Sequence, residues 1–254
     1  MIYKHALPIL EYDDQKNAVI DPDHEQLNLV LPERAVFAFL GDTVEAYARA
    51  HGARLVSFFD SITKQYPIFI LSQDEGDICL CQAPVGAPAA AQILDWLIAY
   101  GCRKIISAGS CGVLEPLEEN SFMIPVKALR DEGTSYHYLP PSRFIELNSR
   151  VISIIEKVLT GYHVQYNYCV SWTTDAFFRE TPEMVSLRMQ EGCQVVDMEC
   201  SALASVAAFR GVEFGQVFFS GDTLANVQAY DSRNFGADSL ELAMELAVAI
   251  AEQL

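Results

Sequence analysis

The stretch of sequence that decides the fold runs from Val195 to Asp222 and reads VVDMECSALASVAAFRGVEFGQVFFSGD. An apolar pair leads into two acidic residues, Asp197 and Glu199, and a run of small residues with helical character follows. An apolar strand then ends at a third acid, Asp222. Because open α/β sheets keep their binding sites at the ends of strands, we expect these three acids to mark a site.

The composition predicts a large α/β protein. The chain has 254 residues, of which 51% are hydrophobic and 20% charged, and we expect one domain spanning residues 1–254. The formal net charge of -17 repels phosphate backbones and anionic membrane surfaces. We therefore expect a cytoplasmic protein with neither nucleic acid nor membrane as a partner.

The seven cysteines form an odd number and show no zinc-binding spacing. We expect free, buried thiols in a reducing compartment, and no metal and no cofactor. Residues 1–33 are polar and acidic and contain three prolines, which predicts an N-terminal arm. His5 is the residue of chemical interest in that arm.

Two apolar runs, residues 35–40 and 104–108, each lead into glycines and are predicted to be buried strands. The first is followed by Gly41-Asp42-Thr43 and the second by Gly109-Ser110-Cys111-Gly112. Unpaired N–H groups at a turn between a strand and a helix suit an anion or a sugar. We expect the two glycine turns to face one crevice of a parallel sheet.

Three later segments are predicted to be irregular. Residues 122–129 contain Pro125, which favours an irregular or edge strand. Residues 130–141 contain turn formers, hydroxyls and His137, and suit either a structured functional loop or an exposed loop. Residues 172–179 are predicted to be a loop or short turn. Around these segments the alternation of strands and helices predicts a three-layer α/β/α sandwich with a central mixed sheet.

The three acids and Phe177 could act together on a nucleoside. Carboxylates accept hydrogen bonds from sugar hydroxyls, an acid can protonate a leaving group, and an aromatic ring can stack on a base. This set suits cleavage of a glycosidic bond through an oxocarbenium-like transition state. Asp197 and Glu199 would alternate along a strand, so we expect only one of them to contact the sugar.

The sequence resembles the nucleoside phosphorylase family, which includes purine nucleoside phosphorylase, uridine phosphorylase and methylthioadenosine nucleosidase. The resemblance covers roughly residues 35–250, and its motifs are Gly41-Asp42, Gly109-Ser110-Cys111-Gly112, Val196-Asp197-Met198-Glu199 and Ser220-Gly221-Asp222. It implies a partly barrel-like central sheet. It also implies a homo-oligomer built from dimers, such as a hexamer, whose sites borrow residues from a neighbouring subunit.

The resemblance implies roles for individual residues. Glu199 would grip the ribose hydroxyls, and Asp222 would be the general acid that donates a proton to N7 of a purine. The remaining substrate-binding residues would be Met198 against the sugar, Asp197 where the family usually has Glu, Phe177 stacked on the base, Ser110 and Gly41 at the phosphate, and His5 reaching a neighbouring site. Arg179 is a candidate cation, and His137 lies in a segment that resembles a loop of uridine phosphorylase.

The sequence departs from the phosphorylases at two positions where they carry arginine. This chain has Glu45 and Ser107 there, which removes two bidentate clamps suited to phosphate. Arg130, Arg179 or Lys64 could restore a cation from elsewhere. Alternatively, Glu45 could lie near the position where hydrolytic nucleosidases keep a water-activating glutamate.

Three functions therefore stay open. The first is a phosphorylase that uses phosphate as co-substrate, the second is a hydrolytic nucleosidase, and the third is a nucleoside-binding protein without turnover. A purine-like base is favoured by Asp222. Uridine is the alternative, although the residues that read uracil in the family fall at Thr181 and Glu183 here.

Overall fold

The computed structural model describes residues 2–254, and its centre is a sheet of ten strands. The strands are β1 (Arg34–Ala38), β2 (Arg54–Asp60), β3 (Gln65–Leu71), β4 (Ile78–Gln82), β5 (Lys104–Val113), β6 (Phe122–Asp131), β7 (Phe144–Glu146), β8 (Tyr166–Thr174), β9 (Val195–Asp197) and β10 (Glu213–Thr223). The α-helices are α1 (Thr43–Ala50), α2 (Ala87–Ala99), α3 (Ser149–Gly161), α4 (Pro182–Gln190), α5 (Cys200–Arg210) and α6 (Leu240–Gln253). Short 3₁₀ helices cover Pro8–Leu10, Thr134–His137, Phe177–Arg179 and Arg233–Ser239.

Five of the strands close into a ring. The order across the sheet is β10-β6-β8-β9-β5-β1-β4-β3-β2, and β10 pairs again with β5. The ring therefore contains β5, β9, β8, β6 and β10, and the other strands of this order extend from β5 as an open sheet. Parallel and antiparallel pairs both occur. The predicted mixed, partly barrel-like sheet is confirmed.

Helices cover both faces of the sheet. Helices α1, α3 and α6 pack on one face through side chains such as Val44, Ile155 and Leu246. Helices α2 and α5 pack on the other face, where Leu94 and Leu203 belong to one apolar cluster. The α/β/α arrangement in three layers is confirmed, because each face of the sheet has its own apolar core.

The second predicted glycine turn is wrong. Strand β5 continues through Gly109-Ser110-Cys111-Gly112 and pairs with β10 along this length, with Gly109 opposite Phe218. The glycines serve close packing instead, since a Cβ on Gly109 would lie 3.0 Å from Cβ of Phe39. The first junction is a turn, and Gly41 takes φ +56° before α1 begins.

The predicted edge position of β6 is also wrong. β6 pairs in parallel with β8 over most of its length and is flanked on its other side by β10 and β7. The irregularity was predicted correctly, because the register with β8 shifts between Pro125 and Lys127. A bulge accommodates a proline that cannot donate to the ladder.

Part of the predicted loop at residues 172–179 is strand. β8 extends to Thr174, and a 3₁₀ turn follows at Phe177–Arg179. Within the segment 130–141, a 3₁₀ helix covers Thr134–His137. Both segments are thus ordered extensions of ring strands.

The N-terminal residues lie along α2 and α5. The indole N–H of Trp96 donates to Glu25 at 3.1 Å, and Arg210 donates to the carbonyl of Lys16 at 3.0 Å. The seven cysteines are free and buried. Within residues 2–254, no helix has both the length and the apolar character needed to cross a membrane.

Candidate active site

A cavity of about 450 Å³ lies where β5, β9 and β10 of the ring meet. This volume falls within the usual range for small-molecule sites. Its walls are formed by Phe39, Val85, Gly109, Ser110, Cys111, Gly112, Phe177, Glu180, Val196, Asp197, Met198, Glu199, Gln216, Asp222 and Phe235. The lining contains four carboxyl groups and, among residues 2–254, neither lysine nor arginine.

Asp197 holds the junction between β9 and α5. Its Oδ1 accepts from the hydroxyls of Ser171 at 2.6 Å and Thr173 at 2.9 Å. Its Oδ2 accepts from the backbone N–H groups of Glu199 at 2.7 Å and Cys200 at 2.6 Å. Burial raises the pKa of Asp197, and these four bonds oppose the shift. With both oxygens occupied, the carboxylate caps α5.

Glu199 is the residue that this cap orients. Because β9 ends at Asp197, Glu199 lies at the N-cap of α5 and not in a strand, so the alternation expected for the two acids does not apply. Glu199 Oε1 accepts from the N–H of Gly86 at 2.5 Å. Burial raises its pKa to about 8, and the nearby Asp197 adds to the shift. The backbone of Glu199 is thus held by Asp197, and one oxygen of its carboxyl is held by Gly86 in the cavity wall.

Asp222 lies near the end of β10 and is 6% exposed. Its Oδ2 is buried, and no residue within 2–254 hydrogen-bonds to it. Burial raises its pKa, opposed by smaller effects of its own N–H, the hydroxyl of Tyr230 and Arg233. A Cβ at Gly112 would lie 3.2 Å from Asp222 Oδ1, so this glycine gives the carboxyl its space. A carboxyl with a raised pKa and one oxygen without a hydrogen-bond partner is suited to proton donation.

Apolar side chains complete the wall around these acids. Phe177, Met198 and Phe235 line the cavity together with Phe39. Phe235 belongs to a stretch of left-handed backbone, with φ +52°, and the sequence analysis did not identify it. Flat rings and a thioether supply the kind of surface on which a planar base and a sugar can pack.

Glu180 is a fourth carboxyl in the cavity and was also missed. It directly follows the 3₁₀ turn that carries Phe177. Burial raises its pKa to about 8, and the charge of Asp222 adds to this shift. The one sequence signal that could have found it is its spacing of three residues from Phe177, since a 3₁₀ helix repeats every three residues.

The side of the cavity expected to bind phosphate has neutral polar residues. Ser110 lines it, and Gln216 lies deeper, opposite Ser107 in the parallel register of β10 and β5. The hydroxyl of Ser107 and the amide oxygen of Gln216 are buried, and neither has a partner within residues 2–254. Ser107 and Gln216 are thus neighbours in the place where the resemblance predicts an arginine.

Four of the expected substrate-binding residues lie outside the lining of this cavity. They are Gly41, His5, Arg179 and His137. His5 accepts from the N–H of Leu7 at 3.0 Å in the N-terminal segment. His137 lines a separate hollow that also includes Lys16 and Arg210.

Glu45, considered above as a water-activating residue, and the candidate replacement cations Arg130 and Lys64 bind other parts of the chain. Glu45 forms an ion pair with Arg49 one turn along α1. The guanidinium of Arg130 is buried and donates to the hydroxyls of Ser135 and Ser142 and to the carbonyls of Leu139 and Pro140. Lys64 donates to Gln82 at 3.2 Å. Arg130 therefore stabilises the segment that follows β6.

Comparison with known proteins places this geometry in a family. The family model for the phosphorylase superfamily matches residues 33–254. Guanosine phosphorylase from Halorubrum lacusprofundi is 25% identical over 159 residues, which cover 61% of this chain and 64% of that enzyme. The match thus spans slightly less than two thirds of the relative's length.

Solved structures show the same fold. Purine nucleoside phosphorylase from Toxoplasma gondii matches with a TM-score of 0.76 and 19% identity, covering 94% of this chain and 97% of that one. AMP nucleosidase from Bacteroides thetaiotaomicron matches with a TM-score of 0.71 and 20% identity, covering 88% and 89%. The resemblance inferred from the motifs is confirmed: the chain belongs to the phosphorylase superfamily.

Proposed function

We propose that this protein is an enzyme that cleaves the N-glycosidic bond of a nucleoside. The observation that carries the proposal is the unpartnered, buried Oδ2 of Asp222 in a cavity that also holds Glu199. A carboxyl that keeps its proton can give it to N7 of a purine as the bond between C1′ and N9 breaks and its electron pair moves to the base. Proton transfer of this kind contributes about a hundredfold to ten-thousandfold to a rate.

Glu199 serves the sugar in this proposal. The N–H of Gly86 fixes one of its oxygens, and the remaining capacity of the carboxylate can accept hydrogen bonds from the ribose hydroxyls. Positive charge develops on the sugar in the transition state, and Glu199 stabilises it in the fraction of the protein in which its carboxyl is ionised, which grows as the pH approaches the pKa of about 8. Met198 packs against the sugar and Phe177 against the base.

The family suggests phosphate as the nucleophile, but one observation favours water as a second candidate. The cavity lining contains neither lysine nor arginine among residues 2–254, and Ser107 and Gln216 carry unpartnered neutral groups. Neutral donors and acceptors suit a bound water better than a phosphate dianion. In hydrolysis the base departs with the proton of Asp222 and the water oxygen bonds to C1′. The proton that this water loses passes to the solvent, from which the Asp222 carboxylate regains one.

Release of the base from a nucleoside panel, with and without phosphate, tests both candidates. The panel contains adenosine, inosine, guanosine and uridine, with Asp222→Asn as the matched variant. Phosphorolysis requires phosphate and yields a sugar 1-phosphate, whereas hydrolysis proceeds in its absence. Saturable binding without base release, unchanged in Asp222→Asn, would instead support the third function, a nucleoside-binding protein.

We further propose that the enzyme is a dimer-based homo-oligomer, such as a hexamer, that acts in nucleoside salvage in the cytoplasm. Exposed apolar side chains at or next to the cavity support an interface, since Val85 and Phe235 are 72% and 52% exposed. The seven free cysteines support a reducing compartment. Light scattering after size exclusion measures the assembly.

A further inference from the structure

Two buried polar side chains, Ser107 and Gln216, form the floor of the cavity. They are partners in the parallel register of β5 and β10 and are 0% and 1% exposed. The residues next to them, Ile106 and Val217, pack into the apolar cluster under α1, α3 and α6, so Ser107 and Gln216 point to the opposite face of the sheet. On that face Gln216 lines the cavity, and Ser107 precedes the lining residue Gly109 by two positions. The two side chains are therefore neighbours at the bottom of the cavity.

The cavity floor carries polar groups that the protein itself does not satisfy. The hydroxyl of Ser107 and the amide oxygen of Gln216 have no hydrogen-bond partner within residues 2–254. Leaving a buried polar group unpaired is unfavourable, and most such groups in folded proteins are paired. The buried hydroxyls of Ser201 and Ser205 in α5 follow this rule, since they donate to Glu132 and to a backbone carbonyl. Two adjacent exceptions at the bottom of a cavity indicate a small polar ligand.

We propose that Ser107 and Gln216 bind the nucleophile of the reaction and that this nucleophile is water. The inference rests on the proposed function, because it assumes that the cavity binds a nucleoside with its base at Asp222. It adds two nucleophile-binding residues to that function and commits the enzyme to hydrolysis.

Strand β10 places the floor and the general acid at different ends of the cavity. Gln216 lies in the first half of the strand, and Asp222 lies six positions later, near its end. Both line the cavity, as do Met198 and Glu199, which we assign to the sugar. A base that takes its proton from Asp222 leaves C1′ between Asp222 and the floor. A nucleophile held at the floor thus approaches C1′ from the side away from the departing base.

The donors and acceptors of the floor match water. A buried water needs about two to four polar partners. It can donate one O–H to the amide oxygen of Gln216 and accept from the hydroxyl of Ser107, and one lone pair remains for C1′. A phosphate dianion would instead set its charge against the amide oxygen, and the lining contains neither lysine nor arginine among residues 2–254 to offset it. Methanol has a single O–H, and its methyl group would displace one of the bonds.

The chemical step needs no further reactant. The bond between C1′ and N9 breaks, its electron pair moves to the base, and the base takes the proton of Asp222. The floor water forms the new bond to C1′ with its remaining lone pair and loses a proton to the solvent. Ser107 and Gln216 keep their own protons, and they act by holding the water in line with C1′.

Competition between water and methanol tests this assignment. The best nucleoside of the panel is cleaved in phosphate-free buffer containing methanol, and the ratio of methyl glycoside to free sugar is measured. Gln216→Met keeps the length of the side chain and removes the amide, so we expect this ratio to rise at least about fivefold. We also expect kcat to fall about a hundredfold, with KM for the nucleoside within about threefold. Because the ratio is set within each turnover, it does not depend on the amount of folded enzyme.

Two further variants complete the experiment. Ser107→Ala removes a hydroxyl that has no bond to lose, so we expect it to fold and to raise the product ratio at least about threefold. It decides the question if Gln216→Met loses its circular dichroism spectrum. Gln253→Met makes the same replacement at an exposed position of α6, and this control is expected to keep the wild-type ratio.

The results distinguish this inference from the function on which it rests. If wild-type protein releases no base from any nucleoside, both fail. If base release requires phosphate and yields a sugar 1-phosphate, the proposed function stands and the water site is overturned. A product ratio that stays within twofold of the wild-type value in every folded floor variant also overturns the site, even where kcat falls, because damage to the fold lowers the rate without changing the choice of nucleophile.

Discussion

Asp197 and Asp222 line one cavity and are 7% and 6% exposed, but their surroundings differ. Asp197 accepts four hydrogen bonds and ties β8 to the first turn of α5. Asp222 has a carboxylate oxygen that no described residue contacts by a hydrogen bond. Equal burial thus accompanies two different tasks: a carboxyl with every acceptor used maintains the structure, and one with a free oxygen is available to a substrate.

The largest expected effect comes from replacing the free carboxyl. Asp222→Asn keeps the size of the side chain and removes the acid, so we expect kcat to fall about a thousandfold while KM changes by a few fold at most. We expect no loss of stability towards urea, because no hydrogen bond of Oδ2 is broken. A stability loss with unchanged turnover would reverse the assignments of the two aspartates.

Asp197, both of whose carboxylate oxygens accept hydrogen bonds, is expected to give the opposite result. Asp197→Ala leaves two backbone N–H groups and two hydroxyls without their acceptor, and we expect the free energy of unfolding to drop by about 3 kcal/mol. Asp197→Asn is the matched variant and should lose much less, since asparagine also caps helices well. Urea denaturation measures both, and similar small losses in the two variants would contradict a structural role.

Glu199 lies between these extremes, because one of its oxygens is fixed by Gly86 and the other is available. Glu199→Gln should lower kcat and raise KM by about tenfold each, since a carboxamide has one acceptor oxygen where the carboxyl has two, and Gly86 already uses one acceptor. Steady-state kinetics with the best nucleoside of the panel measures both constants. Glu183→Gln, at an exposed position of α4, is the control. A fall in kcat with an unchanged KM would show that Glu199 does not contribute to binding of the substrate in the ground state.

A smaller effect is expected when the space around Asp222 is filled by a methyl group. In Gly112→Ala the new Cβ would lie 3.2 Å from Asp222 Oδ1 and 2.8 Å from Val196 Cγ1, so at least one neighbour must shift. We expect kcat to fall by about fivefold through misplacement of the acid. The matched control is Gly161→Ala, where no atom lies within 4 Å of the new methyl group. Equal activity of the two variants would argue against this role.

The smallest expected effect is on the pH dependence of stability. It comes from Glu180, which was not identified from the sequence. The pKa of Glu180 is raised from 4.5 to about 8, so the folded state holds a proton that the unfolded state releases. Stability from this group is therefore present at pH below 4.5 and is lost as the pH rises to about 8. Glu180→Gln should flatten this part of the urea-midpoint profile relative to Glu183→Gln. A parallel pair of profiles would show that Glu180 ionises normally.

The sequence was informative where local pattern and chemistry coincide. The alternation of apolar runs and helices predicted the layers. The acids at 197, 199 and 222, which were predicted to mark one site, line one cavity. The glycines of β5 were misread, because glycine permits both a turn and close packing. Only the pairing with β10 distinguishes the two.

Other parts of the site depend on distant contacts. Closure of the ring requires β10 to meet β5 and β6 together, and the sequence contains no local sign of this. Phe235 reaches the cavity through a run of positive φ angles in which glycine accounts for one residue only. Glu180 belongs to no motif, and its importance depends on Asp222 lying nearby, 42 positions along the chain.

The buried cysteines provide a built-in reporter of unfolding. Burial raises the pKa of Cys81, Cys111 and Cys200, and thiols without access or ionisation react poorly with alkylating reagents. Because the seven cysteines are distributed from β4 to α5 and are all buried, a reagent reaches them when the surrounding layer opens. The mass added to each cysteine over time therefore maps, residue by residue, which parts of the ring and its flanking sheet separate first.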